Sequence, residues 1–278
     1  MKKILIKSGA FILITIFLLP LNAFPAAKIK KEFVEIVTRP GVKQRFVLLA
    51  PEKPVANLII ICGGRGKIVV SKTFGKPHIK YTKNFVIESR KKFAKQGFQA
   101  AVIDVPSDKK KEGMLGYWRV SPEHAKDIEA VANYLKSRND LPVWLLGTSL
   151  SSFSVANCGI NIPIVDGLVF TSSVTKSASK WKVSKTHPNG MLDMALDKIT
   201  VPVLIVAHKQ DACEYTPPEG SEKIKKAIIN SSKIKVIYYE GGKRPKDKAC
   251  WPYSYHGFYG IQDDVINGIS AFIISNLN

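Results

Sequence analysis

Short, continuous apolar runs recur along the chain and alternate with segments of helical spacing. Such runs are typical of strands buried on both faces of a parallel sheet. They cover residues 57–62, 98–105, 142–146, 164–171, 202–207 and 234–239. The helical segments cover residues 84–96, 121–135, 150–157, 221–229 and 261–277. Strands that alternate with helices predict an α/β fold, with a mostly parallel sheet of about eight strands and helices on both faces.

Two strand-like segments precede the first buried run. Residues 33–37 and 44–49 are rich in strand-forming side chains, and Pro40-Gly41 lies between them. Proline followed by glycine is a strong turn signal. We therefore expect an antiparallel hairpin at the start of the domain.

Residues 1–27 have the pattern of a secretory signal peptide. Lysines at the start are followed by an apolar centre over residues 9–21 and by small residues up to Ala27. The apolar stretch is shorter than the roughly 18 residues that a membrane span needs. We expect cleavage after Ala23 or Ala27, no stable membrane span after cleavage, a domain at residues 28–278, and a periplasmic or secreted protein. An uncleaved leader would instead make the protein a membrane-anchored scaffold.

The chain is strongly basic, with a formal net charge of +20. Residues 1–27 contribute three lysines to this charge and no acid. The remaining lysines are scattered, and no nucleic-acid-binding motif or arginine-rich arm accompanies them. We expect a lysine-rich solvated surface and no nucleic-acid partner. An anionic partner such as an envelope polymer is the alternative that the charge leaves open.

A serine stands at the end of the apolar run 142–146, in the sequence Gly147-Thr148-Ser149-Leu150-Ser151. A nucleophilic serine can be held on a sharp strand-to-helix turn, with small residues two positions before and after it. Gly147 satisfies the first position, and Ser151 replaces the commoner glycine at the second. The flanking strand and helix are the context that this motif requires. Ser149 is therefore the candidate nucleophile.

An acid and a histidine follow the serine in the order that this arrangement needs. A serine hydroxyl requires a base, and the base requires an acid that orients it. Asp211 follows the strand at 202–207, and His256 lies in the loop before the terminal helix. The order serine, acid, histidine differs from the two well-known protease orders.

Other histidines and acids fit this order less well. His124 lies within a helix and is expected at the surface, and His208 comes before the acid. Two further histidines lie in polar loops, at His78 and His187. Asp247 follows no strand. These residues are alternatives to His256 and Asp211.

On these residues nearly the whole mature chain resembles α/β-hydrolase-fold enzymes, close to dienelactone-hydrolase-like and small esterase-like members. The resemblance places Ser149, Asp211 and His256 on the family's catalytic triad. Ser151 departs from the family pattern.

Backbone N–H groups must stabilise the oxyanion in such an enzyme. One donor is expected from Leu150, directly after the nucleophile. The other is expected from the loop Gly63-Gly64-Arg65-Gly66, and the resemblance points to the N–H of Arg65. The loop does not match a nucleotide-binding P-loop, because Gly-Lys-Ser/Thr is absent.

The four cysteines divide into two pairs by their surroundings. Cys62 and Cys158 lie in apolar segments and are expected to be buried thiols. Cys213 and Cys250 lie in polar loops near the acid and the base, which makes them candidates for a disulfide bond in an exported protein. No cysteine or histidine cluster has the spacing of a zinc site, so no metal is expected.

The expected function is hydrolysis of an ester through a Ser-His-Asp triad and an acyl-enzyme, with thioester or amide cleavage next. The partner is a small-molecule acyl substrate, no cofactor is implied, and the oligomeric state stays open. Residues 173–198 form at most a small lid. Candidates for substrate binding are Gly64, Tyr117, Trp118 and Trp251. The alternative is a catalytically inactive protein of the same fold that binds an anionic envelope ligand.

Overall fold

A computed structural model describes residues 28–81 and 83–277. The signal-peptide prediction for residues 1–27 and both candidate cleavage sites lie outside the described residues. No helix in the described part of the chain is both long enough and apolar enough to cross a bilayer.

Ten strands form in the described residues. They are β1 (Ile29–Arg39), β2 (Val42–Pro51), β3 (Ala56–Ile61), β4 (Val70–Thr73), β5 (Lys76–Ile79), β6 (Phe98–Ile103), β7 (Val143–Thr148), β8 (Gly167–Thr171), β9 (Val203–His208) and β10 (Ile234–Tyr239). Every residue of β3, β6, β7, β8 and β9 is buried, as their continuous apolar sequences predict.

Eight strands pair into one sheet in the order β1-β2-β6-β3-β7-β8-β9-β10. β2 is antiparallel to β1 and to β6, and the remaining pairs are parallel. The predicted fold class and the N-terminal hairpin are confirmed. The register pairs Ile61 of β3 with Gly147 of β7, so the loops that follow these two central strands start side by side.

The described part of the chain contains six α-helices, five of them between strands and one after the last strand. They are α1 (Phe85–Lys95), α2 (Gly116–Arg119), α3 (Pro122–Asn139), α4 (Ser152–Asn161), α5 (Gly220–Ala227) and α6 (Gln262–Ile274). α3 begins with an N-cap: the Ser121 hydroxyl accepts a hydrogen bond from the His124 N–H, and proline occupies the first helical position.

The helices cover both faces of the sheet. Buried side chains of α3, α4 and α5 pack on one face, and those of α1 and α6 pack on the other. This arrangement leaves the carboxyl ends of the parallel strands to the connecting loops, where ligand sites of α/β sheets form.

One hairpin and one helical turn were not predicted. β4 and β5 form a separate antiparallel hairpin, and α2 is a single helical turn. β4 and β5 have four residues each, which is too short to show an alternation of apolar and polar positions. The hairpin is tied to the main sheet by Asp104, whose carboxylate accepts hydrogen bonds from the N–H groups of Ile68, Val69 and Val70.

Candidate active site

Ser149 sits on a strained turn between β7 and α4. Its φ angle is +71°, in the left-handed region that residues with a side chain rarely adopt. A short 3₁₀ turn over Ser149–Ser151 joins the strand directly to the helix. Strain of this kind persists only where the surrounding structure enforces it, and it is common at functional sites.

Close packing around the serine turn (residues 147–151) explains its small residues. A Cβ atom added at Gly147 would lie 2.7 Å from Val155 Cγ2 and 2.8 Å from Ser151 Oγ. A Cβ added at Gly63 would lie 2.6 Å from the carbonyl oxygen of Thr148. Glycine is therefore required at both positions, since real Cβ atoms do not approach so closely.

Ser151, which departs from the family pattern, takes part in the hydrogen bonding of the turn. Its hydroxyl accepts a hydrogen bond from the Thr148 N–H at 2.7 Å and lies 2.9 Å from the carbonyl oxygen of Ile61. The side chain is fully buried. It ties the end of β3 to the serine turn, which a glycine could not do.

Asp211 and His256 meet in the structure. His256 Nδ1 lies 2.9 Å from Asp211 Oδ2. Because a carboxylate only accepts, Nδ1 carries the proton and Nε2 is left as an acceptor. Asp211 also accepts hydrogen bonds at 2.9 Å from the Thr216 hydroxyl and from the Cys213 N–H.

The loop that carries His256 is held at several points. The His256 N–H donates to the Ser254 hydroxyl, and its carbonyl oxygen accepts from the Ser172 hydroxyl. A disulfide between Cys213 and Cys250 joins this loop to the loop of Asp211. Asp211 and His256 therefore lie on two segments that a disulfide bond joins covalently.

Ser149 and His256 line one cavity of about 180 Å³, here called the serine cavity. Gly64, Trp251 and Asn84 line it as well. Trp251 is 58% exposed, so it forms an outer wall. No residue of the segment 173–198 contributes to the lining, so the predicted small lid does not cover this cavity.

The glycine loop (residues 63–66) follows β3 and borders the serine cavity. Gly63 and Gly64 line the cavity, whereas Arg65 does not. The tight packing of Gly63 on Thr148 explains this difference, because it brings the next residue, Gly64, beside the serine. The cavity wall thus favours Gly64 over Arg65 as the source of a backbone donor.

A second cavity of about 280 Å³, the aromatic cavity, lies beside Leu150, the residue that follows Ser149. Leu150, Tyr117 and Trp181 line it. Trp118, which the sequence suggested for substrate binding, is buried in the core and lines neither cavity. Tyr117 reaches the aromatic cavity because α2 turns its successive side chains in different directions.

A lysine recess of about 260 Å³ adjoins the serine cavity. Lys67, Lys80 and Lys83 line it, and it shares Lys83 and Asn84 with the serine cavity. Neither lining includes an aspartate or a glutamate. The approach to Ser149 on this side is therefore positively charged.

The alternative residues lie elsewhere. The expectation of a surface position for His124 is wrong: the side chain is fully buried, and burial together with Arg119 and Arg39 lowers its pKa to about 3. His208 stacks on Tyr255 with ring centroids 4.6 Å apart and has Nε2 3.0 Å from the carbonyl oxygen of Gly241. Burial lowers the pKa of His208.

Cys62 and Cys158 are free and buried, as expected. Burial raises the pKa of the Cys62 thiol to about 12, so the thiol is protonated at neutral pH. Asp247 accepts from the Tyr253 N–H, whereas the carboxylate paired with His256 is that of Asp211. No three His, Cys, Asp or Glu side chains within residues 28–81 and 83–277 are grouped so that they could hold a metal ion.

Solved structures resemble this chain over most of its length. An esterase from Pyrococcus furiosus is 13% identical, with 90% of this chain and 94% of that chain covered and a TM-score of 0.59. A dienelactone hydrolase from Anabaena variabilis is 12% identical, with coverages of 90% and 99% and a TM-score of 0.58. A cold-adapted esterase from an Arctic intertidal metagenomic library is 11% identical, with coverages of 92% and 97% and a TM-score of 0.57.

The chain has the α/β-hydrolase fold. No protein-family model matches the sequence, and no curated protein matches it. Identities this low establish a shared fold and leave the reaction to be argued from the site.

Within this α/β-hydrolase fold, sequence reasoning missed two buried polar residues near the site. Thr216 donates to Asp211, and Arg119 donates to the carbonyl oxygen of Gly64 at 3.1 Å. Thr216 carries no sequence signal, because a threonine after an acid in a loop is common. Arg119 carries one: it is an arginine among apolar and aromatic neighbours in the run 117–120.

Proposed function

We propose that the protein is a serine hydrolase that cleaves a small-molecule ester through an acyl-enzyme. The observation that carries this proposal is the arrangement of three side chains. Ser149 is held at positive φ, lines the same cavity as His256, and His256 is paired through Nδ1 with buried Asp211. The esterases and hydrolases with the same fold agree with it.

In the proposed reaction the Ser149 hydroxyl attacks the acyl carbon while His256 Nε2 takes its proton. The tetrahedral intermediate then collapses, the ester bond breaks, and His256 returns the proton to the leaving alcohol. A water molecule attacks the acyl-enzyme in the same way and releases the acid. Asp211 holds the imidazole in the required tautomer and stabilises its charged form.

Two backbone N–H groups are proposed to bind the oxyanion. One is the Leu150 N–H at the start of the helical turn after the nucleophile. The other is the Gly64 N–H, in place of the Arg65 N–H suggested by the resemblance, because Gly64 lines the serine cavity. The Gly64 N–H donates no hydrogen bond to another described residue, so it is free to bind substrate.

Chemical labelling tests the proposal directly. A fluorophosphonate should modify the wild-type protein once, at Ser149, and a panel of p-nitrophenyl esters should be hydrolysed. Ser149→Ala should abolish labelling and lower kcat by more than about 10⁴-fold. Ser137→Ala, a change of an exposed serine on α3, is the matched control and should retain both. Full labelling of Ser149→Ala would contradict the assignment.

The lysine recess favours esters that carry a second, anionic group. A p-nitrophenyl ester whose acyl chain ends in a carboxylate should have a higher kcat/KM than its methyl-capped counterpart. Changing Lys67, Lys80 and Lys83 together to glutamine should lower kcat/KM roughly tenfold for the anionic ester only. Changing the exposed α5 lysines Lys223, Lys225 and Lys226 to glutamine is the control.

The lysine recess also favours a second candidate function, the binding of an anionic envelope ligand by a non-catalytic protein. This candidate requires that the wild-type protein neither reacts with the fluorophosphonate nor hydrolyses any ester of the panel. It also requires binding to an anionic polymer that the Lys67, Lys80 and Lys83 variant loses. Labelling at Ser149 would exclude it.

A further inference from the structure

Arg119 is buried beneath the glycine loop. Its side chain is fully buried at the end of α2, although arginine is among the residues least often found in a protein interior. Its guanidinium donates four hydrogen bonds. Nε donates to the carbonyl oxygen of Met114 at 2.9 Å, and Nη1 donates to the Ser154 hydroxyl at 2.8 Å.

The remaining nitrogen, Nη2, contacts the glycine loop. It donates to the carbonyl oxygen of Cys62 at 2.8 Å and to that of Gly64 at 3.1 Å. These two carbonyls flank the Gly63–Gly64 peptide, whose N–H is the proposed oxyanion donor. The guanidinium therefore fixes the backbone on both sides of that donor.

The loop is shaped to admit this arginine. A Cβ atom added at Gly66 would lie 2.9 Å from Arg119 Nη2 and 2.6 Å from Met114 Cε. Gly66 also has a φ angle of +68°, which disfavours any residue with a side chain. Glycine at this position thus serves the approach of Arg119 as well as the turn.

The charge of Arg119 has no carboxylate partner among the described residues. Its hydrogen-bond partners are three carbonyl oxygens and one hydroxyl, all of them neutral. Burial lowers the pKa of Arg119 to about 10, which keeps it protonated at neutral pH. Burying an unpaired charge is costly, and a negative charge that forms nearby during a reaction would offset that cost.

We propose that Arg119 is a positioning residue of the oxyanion hole, which orients the glycine loop and supplies the positive charge beneath it. This inference rests on the proposed function. A fixed positive charge buried beneath the loop stabilises a developing oxyanion more than it stabilises the neutral ester carbonyl. The effect of Arg119 should therefore fall on kcat rather than on KM.

Two substitutions distinguish the effect of the Arg119 charge on catalysis from the effect of its packing. Arg119→Met keeps much of the apolar volume and removes both charge and donors, and it should lower kcat roughly ten- to hundredfold with little change in KM. A boronic acid, which forms an anionic tetrahedral adduct with a catalytic serine, should bind more weakly by a similar factor. Arg138→Met, which removes an arginine hydrogen-bonded to Glu32 at the far end of α3, is the matched control.

Arg119→Lys provides a readout that a purely structural role would not change. A buried lysine has a lowered pKa, because burial disfavours its charged form. Its kcat should be intermediate near neutral pH and should fall as the pH rises and the lysine loses its proton. The wild-type protein should show no such decline over the same range.

The outcomes are distinct. If Arg119→Met retains the wild-type kcat, or if Arg119→Lys matches it with the same pH profile as the wild type, this inference is overturned while the proposed function stands. If Arg119→Met does not fold, as judged by circular dichroism, the pH profile of Arg119→Lys decides. A wild-type protein that neither labels nor hydrolyses esters overturns both proposals.

Discussion

At the residue scale, Ser151 shows how one substitution can be accommodated by its neighbours. The hydroxyl occupies space left by the absent side chain of Gly147, since a Cβ there would lie 2.8 Å from it. It also satisfies the buried N–H of Thr148. In the sequence Ser151 is only a departure from the usual motif, whereas the structure shows a turn with an additional hydrogen bond.

Ser151→Ala should therefore destabilise the protein. It leaves the Thr148 N–H without its partner in a buried turn, which costs about 1–2 kcal/mol of unfolding free energy. Because the alanine keeps the Cβ atom and the turn, kcat should fall far less than in Ser149→Ala. Urea denaturation and the ester assay measure the two effects. Unchanged stability, with Ser137→Ala as the reference, would show that the hydrogen bond contributes nothing.

His124 makes folding stability sensitive to acid. Burial lowers its pKa in the folded protein to about 3, whereas an unfolded histidine titrates near 6.5. Between these values the unfolded chain binds more protons, so the unfolding free energy falls as the pH is lowered from about 6.5 toward 3, by at most about 1.4 kcal/mol per pH unit. The stabilising contribution is fully present above about pH 6.5.

His124→Leu should flatten this dependence. Both ring nitrogens of His124 lack a hydrogen-bond partner among the described residues, so leucine loses no hydrogen bond there. The difference in unfolding free energy between pH 7 and pH 4, measured in urea, should be smaller in the variant. His78→Ala, at an exposed histidine on β5, should keep the wild-type difference. Parallel pH profiles for His124→Leu and wild type would contradict the argument.

At the element scale, the disulfide connects two loops that no strand pairing holds together. It closes a segment with a sequence separation of 37 residues. Loop-closure entropy for a segment of this length corresponds to roughly 3–4 kcal/mol of unfolding free energy. The Cys213 N–H also donates to Asp211, so the bond bears on the orientation of the Asp211 carboxylate.

The double variant Cys213→Ser, Cys250→Ser should unfold at lower temperature and have a reduced kcat. The unfolding free energy should fall by roughly 2–4 kcal/mol. Thermal denaturation with and without a reducing agent gives the internal control. Reductant should shift the wild-type Tm toward that of the double variant and leave the variant unchanged. If complete reduction of the disulfide left the wild-type Tm unchanged, the bond would not stabilise the fold.

The elements that the sequence predicted are those with many buried residues. The five fully buried strands and the long α3 have apolar patterns in the sequence that are long enough to predict a strand or a helix. The pair β4 and β5 and the single turn α2 do not, because they have only four residues each. Their positions depend on distant partners, such as Asp104 for β4. The same holds for Arg119, whose role is visible only once α2 is seen beneath the glycine loop.

At the scale of the whole molecule, sheet order explains why the candidate site could be anticipated. β3, β7 and β9 are parallel strands with carboxyl ends at one edge, so the glycine loop, Ser149 and Asp211 come together from distant parts of the chain. The sequence predicts these residues at one edge because each follows a buried strand. The shapes of the two cavities and the burial of His124 were not predictable, because they depend on packing between loops and helices.

The net charge of the molecule should influence how fast an anionic substrate arrives. The chain carries 42 lysine and arginine residues against 22 aspartate and glutamate residues, and the lysine recess places part of that excess beside Ser149. A field of this sign raises the association rate of anions, and salt screens it.

Raising the ionic strength from about 0.01 M to about 1 M shortens the Debye length from about 30 Å to about 3 Å. The kcat/KM of the carboxylate-bearing ester should therefore fall several-fold over this range, while that of its methyl-capped counterpart stays nearly constant. The variant with Lys67, Lys80 and Lys83 changed to glutamine should lose most of the salt dependence, and the α5 lysine variant should keep it. An equal salt response of the two esters would show that the positive charge near the site does not act on the substrate.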